Sequence, residues 1–98
     1  MWPFSNFKFE KFTYSNHAQK RMFERNISAQ DAEDVIMYGE VIEEYLNDKP
    51  YPSYLVFGTV KNRPIHVVVA ANKIEGIIIS LYEPDIDRFG TDFKTRKK

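Results

Sequence analysis

The chain contains no cysteine, which excludes a disulfide framework, a thiolate metal site and a cysteine nucleophile together. This absence fits a reducing cytoplasm, the compartment expected from the sequence. Glycine is scarce, with four residues in all. No GxxxxGK[ST], GxGxxG or GxSxG pattern occurs, so P-loop nucleotide hydrolysis, dinucleotide redox chemistry and serine-hydrolase chemistry lack their motifs. Long hydrophobic runs are missing as well: "IHVVVAA" and "GIIISLY" are each about a third of what a helix needs to cross a bilayer. A membrane span is therefore not expected. The opening "MWPFSNFKF" lacks the basic start and long aliphatic run of a secretory signal and is read as mature protein. Charge of one sign is lacking too, since 14 Lys and Arg balance 14 Asp and Glu, which argues against a broadly basic nucleic-acid binder.

What is present suits one compact domain over residues 1–98. The chain is 43% hydrophobic and 15% aromatic, enough apolar surface to offset the conformational entropy of folding. The placement of charge says more than its sum. Residues 1–26 carry five Lys/Arg against two acids, and 88–98 carry five against one, whereas 27–48 hold seven acids and no Lys or Arg. The chain therefore has two basic ends, the second a basic tail at about 88–98, and an acidic middle.

Period and punctuation give the elements. "FKFEKFTY" places Phe7, Phe9 and Thr13 on one side of a half-buried strand. Ser15 then caps a helix reaching about Asn26, with Ala18, Met22 and Phe23 as its buried flank. In "NISAQDAEDVIMYGE", Ser28 and Asp31 form a capping box and Ala29, Ala32, Val35 and Ile36 repeat at helical spacing, with Gly39 at the C-cap. After Gly39 the period changes to two. "EVIEEYL", "YLVFGTV", "IHVVVAA" and "GIIISLY" read as strands joined by "NDKPYPS", "KNRP" and "NKIEG". The expected fold is α+β in the order β-α-α-β-β-β-β, with two N-terminal helices packed on an antiparallel sheet. "EPDIDRFGTDFKTRKK" is expected to be irregular or briefly helical around Phe89.

Three groups of residues can carry chemistry. His17, Arg21 and Arg25 stand four apart, so on a helix they form a gently curving row. Guanidiniums and an imidazole suit a phosphodiester, because Arg is a rigid permanent cation and His exchanges protons near neutral pH. The same row is equally a solvated face sharing charge with Lys20 and Glu24. His66 sits in "RPIHVVVAA", alternating with Ile65 and Val67; it is either a buried structural hydrogen-bonder or a proton carrier. Tyr82 in "LYEPD" shares a face with Ile78 and Ser80 near the end of the last strand. Arg96, with Lys97 and Lys98, can anchor a nucleic-acid backbone or merely solubilise the tail. Glu83 and Asp85 lack HxxxH or HxH spacing with the histidines, so no metal site or cofactor is expected.

"HAQKRMFERNIS", "GEVIEEY", "PSYLVFG", "RPIHVVVA" and "LYEPD" occur in the order seen in a bacterial domain family of unassigned function grouped with the RelE/ParE-like toxin superfamily, which residues 12–96 resemble. The resemblance implies a small fold of two N-terminal helices on an antiparallel sheet. It implies RNA as a target, metal-free attack of a ribose 2′-hydroxyl on the adjacent phosphate, and a cognate antitoxin protein as partner. In that scheme His17 or His66 exchanges protons, Arg21, Arg25 and Arg96 hold phosphate, and Tyr82 orients it. The seven acids of 27–48 support a different outcome, a non-catalytic protein-interaction module for a basic partner.

Overall fold

A computed structural model describes residues 9–72, 74–84 and 92–94 of the chain. Strand β1 (Lys11–Tyr14) leads into helix α1 (Asn16–Arg25) and helix α2 (Ala29–Tyr38), followed by β2 (Glu40–Tyr45), β3 (Ser53–Val60), β4 (Arg63–Ala71) and β5 (Glu75–Tyr82). The fold is α+β. The expected antiparallel sheet needs one correction, at β1. This strand precedes both helices, as in the expected order, so the helices stand ahead of the meander and not of the whole sheet. It also lies at the sheet's far edge, in the order β1-β5-β4-β3-β2, where it pairs parallel with β5. The sheet is therefore mixed; β2 to β5 form the antiparallel meander.

Local chemistry accounts for the element boundaries. The Ser15 hydroxyl accepts from the Ala18 amide at 2.9 Å and starts α1, while Asn26, in the left-handed conformation at φ 54°, ends it. Asn tolerates that region better than most residues, and its amide donates to carbonyls of the last turn. In α2, Ser28 and Asp31 cap each other's backbone reciprocally, as the sequence pattern predicts. Between β3 and β4, Lys61 and Asn62 both take positive φ, 54° and 66°. That pair matches the mirror-image turn whose twist suits a two-residue hairpin.

The core lies between the helices and one face of the sheet. Ala18, Ala32, Val35 and Ile36 from the helices meet Val56, Ile65, Val67, Val69, Ile78 and Leu81, all essentially without exposure. Each buried Val, Ile or Leu contributes roughly 1.5 to 3 kcal/mol relative to exposure. Met22 packs half-buried against this cluster. Phe23, expected beside it, is instead 90% exposed, because one step along a helix turns the side chain about 100° away from the sheet. Ala29 is exposed too, being the first residue after the cap.

At β1 the inward residues are Phe12 and Tyr14, with Phe9 packing its ring on Phe12 from just before the strand; Thr13 is out of phase with them. Tyr14 also ties β1 to α2 by donating its hydroxyl to the Glu33 carboxylate. Burial, reinforced by that bond and by the carboxylate's charge, holds the phenol well above its ordinary range. A further phase change occurs in β5. Val68 pairs with Ser80 but Val69 pairs with Ile78, so Ile79 is an extra residue, a bulge that reverses the facing of the residues beyond it. Tyr82 and Ser80 consequently face away from the helices while Ile78 faces them, correcting the shared face predicted for the three.

Gly39 is the expected C-cap of α2, required there by close approach and not by its torsions, which are extended (φ −85°, ψ −167°). A Cβ there would stand 2.4 Å from both the Phe57 and Val35 carbonyl oxygens. Gly39→Ala is expected to lower stability by about 2 to 4 kcal/mol in a urea titration, and Ser28→Ala, which removes half of the capping box, by about 1 kcal/mol. Equal costs would refute this account of the α2 terminus.

Candidate functional site

α1 presents the row seen in the sequence. His17 and Arg25 are exposed and Arg21 is half-exposed. Ala18 and Met22 anchor the adjoining flank on the core, so the row borders the apolar, sheet-facing side of α1. The first turn carries no acid and the last turn carries Arg25, leaving Glu24 as the helix's only carboxylate. Glu24 approaches Arg21 at 3.6 Å, with both side chains over 40% exposed. Such a pair contributes under about 1 kcal/mol. Among the described residues, neither the His17 imidazole nor the Arg25 guanidinium has a hydrogen-bond or ion-pair partner.

The end of this helix is held by a residue that sequence reasoning missed. Arg63, the first residue of β4, donates to the Asn26 carbonyl at 2.9 Å and to the Arg25 carbonyl at 2.7 Å. It also donates to the Glu83 carboxylate at 2.7 Å. A cation at unsatisfied helix C-terminal carbonyls is favoured by hydrogen bonding and by the helix dipole together. The sequence carries "KNRP" as a turn signal only; nothing local connects position 63 to a helix end 37 residues earlier.

His66 and Tyr82 occupy the other side of the sheet. Ile65 and Val67 point into the helix-side core, so His66 between them points away. It is fully buried. Its Nε2 lies 2.6 Å from the Phe93 carbonyl oxygen and its Nδ1 lies 3.3 Å from the Tyr82 hydroxyl. A carbonyl can only accept, so Nε2 carries the hydrogen; in the neutral ring Nδ1 is then the acceptor and the Tyr82 hydroxyl donates to it. Phe57 meets the imidazole edge-on at 5.8 Å between centroids. Over this face passes the described part of the C-terminal segment, where Lys94 pairs with Glu40 at 3.0 Å and stands 6.0 Å from the Phe57 ring centre.

The sheet thus divides the sequence-predicted residues. His66 and Tyr82 are brought together on one face, while His17, Arg21 and Arg25 lie across the sheet on the helix layer. Arg96 and Phe89 fall outside the described residues. No group of three or more His, Asp or Glu positioned to hold a metal occurs among the described residues, and none of their helices is long and apolar enough to cross a membrane. A separate cavity of about 360 Å³ opens between the end of α2 and β3, over Gly39 and Gly58 and between Asp34, Tyr38 and Lys61. It takes in none of the predicted site residues.

A protein-family model matches residues 14–83, about seven-tenths of the 98-residue chain. The chain belongs to the family described as Domain of unknown function (DUF4258). The DUF4258 match runs from the last residue of β1 to the Glu83 that Arg63 holds, so it takes in both helices, the meander, the α1 row and the His66–Tyr82 pair. It carries no activity with it. No curated protein and no solved structure matches this DUF4258 chain significantly.

If Arg63 clasps the end of α1, Arg63→Ala is expected to lower the urea midpoint by the equivalent of about 1 to 2 kcal/mol. Arg63→Lys is expected to restore only part, since an ammonium lacks the planar fork. A midpoint unchanged in Arg63→Ala would show that the clasp contributes nothing.

Proposed function

We propose that this chain is a toxin-like RNA-binding protein that holds the phosphate backbone on the outer side of α1. The observation that carries this reading is the row His17, Arg21 and Arg25, which stays at the surface with one weak internal ion pair and a single acid on the helix. Permanent cations left to solvent at regular spacing suit a polyanion better than a buried network does. The family resemblance to RelE/ParE-like toxins supports RNA as that polyanion and a cognate antitoxin as the partner in the cell.

The separation across the sheet bears on catalysis. Cleavage by an internal 2′-hydroxyl needs a proton acceptor, donors for the phosphoryl oxygens and a donor for the leaving oxygen around one phosphate. Here the guanidiniums stand on one side and the enclosed imidazole–phenol pair on the other, an arrangement that favours binding over metal-independent endoribonuclease activity. In fluorescence anisotropy with labelled single-stranded RNA, wild type is expected to bind with a salt-dependent affinity. The Arg21→Ala/Arg25→Ala double variant is expected to bind more weakly, its log–log salt slope flatter by about 1.4. A wild type that does not bind removes the proposal. RNA cleavage that survives a chelator and disappears in His66→Gln would convert it into an endoribonuclease.

One observation favours a second reading, a non-catalytic protein-interaction module. Among the described residues β2 pairs with β3 alone and carries Glu40, Glu43 and Glu44, so its outer edge offers an acidic strand to a basic extended segment. The bulge between Val41 and Glu43 tempers this, since bulges blunt edges. Charge reversal at Glu43 and Glu44 is expected to abolish capture of such a partner from a cell extract; retention of every partner in the reversed variant would exclude this reading.

A further inference from the structure

Phe23 is 90% exposed on a ten-residue helix whose other apolar residues, Ala18 and Met22, face the core. Leaving a phenyl ring in water forgoes the free energy of burying it, and no ring of the described residues packs on it. The position is set by the helix. With Ala18 and Met22 inward, Phe23 lies about a third of a turn away from them, and Lys20, three residues earlier, lies only about 60° from it on the exposed side. Arg21 follows on the far side of Lys20. Phe23 and Lys20 are therefore neighbours on the outer surface of the helix, while Arg21 and Arg25, about 160° from Phe23 around the axis, line the opposite flank of that surface. The helix's lone carboxylate, Glu24, is taken up by Arg21.

That sequence of groups matches the two parts of a single-stranded nucleic acid. Phosphates are anionic, and unpaired bases present flat π-faces that stack on aromatic side chains whatever their identity. A duplex offers the phosphates but hides the faces within its own stack. We propose that Phe23 is a base-stacking residue that gives α1 a preference for single-stranded RNA, with Lys20 and the Arg21/Arg25 row holding the flanking phosphates. The inference rests on the RNA-binding reading above and adds to it the form of RNA that is selected.

The test compares full-length wild type, Phe23→Ala, Phe23→Tyr and Arg21→Ala/Arg25→Ala against a fluorescein-labelled mixed-sequence oligoribonucleotide, single-stranded and annealed to its complement. Phe23→Ala is expected to weaken single-strand binding roughly 5- to 100-fold with its salt slope unchanged, Phe23→Tyr to retain wild-type affinity, and duplex binding to be the same in all three. An unchanged urea midpoint in Phe23→Ala separates this loss from unfolding. If Phe23→Ala binds single strands as wild type does while the double arginine variant is impaired, the stacking role is refuted and RNA binding stands. Equal loss for single strand and duplex also refutes stacking. If wild type binds neither RNA, both proposals fail, and loss of a protein partner confined to Phe23→Ala would reassign the ring to a protein contact.

Discussion

The helix layer rests on the sheet at a distance set by two positions that lack a Cβ. At Gly39 the backbone of α2's last turn runs against the Phe57 carbonyl, and at Gly58 a Cβ would stand 3.1 Å from a Val35 methyl. With both places empty of side chain, α2 descends onto β3 until Val35 and Ile36 are fully enclosed. Ile27, also buried, lies at the junction of the helices. The depth of α2 thereby limits where α1 can lie, and α1 settles over β5 with Ala18 and Met22 inward. The outer surface of the molecule is a consequence of that fit.

Much of the fold was legible because its signals are local. The Ser28–Asp31 box and the apolar repeat through Ile36 define α2, and the change of period after Gly39 announces the meander. Three things escaped because they depend on distant partners or on a single step of phase. Parallel pairing of β1 with β5 joins segments more than sixty residues apart, and no strand pattern names its neighbour. Helical periodicity identifies an apolar flank, but it did not choose between Met22 and Phe23 as the inner edge; packing against β5 makes that choice. The bulge at Ile79 is equally silent in "GIIISLY", where every nearby residue suits either face.

The candidate site was half legible. The spacing of His17, Arg21 and Arg25 predicted a row, and a row is present. The alternation around His66 gave its facing, but full enclosure required the Phe93 carbonyl, 27 residues farther on, and Arg63 required helix ends that only the folded chain brings within reach. The sheet's two faces have become chemically distinct as a result. One side of the molecule shows cations and a bare phenyl ring to solvent, and the other shuts an imidazole behind a carbonyl and an ion pair. The first of these surfaces is open to solvent without any rearrangement of the second.

The extra residue in β5 also fixes an odd–even rule for the strand. Ser15 grips the chain on both sides of the irregularity, its amide on the Ile78 carbonyl and its hydroxyl on that of Ile79. Were Ile79 to take an ordinary paired place after that anchor, the parity would invert: Leu81 would turn outward beside His66, and the phenol of Tyr82 would be driven into a hydrocarbon interior.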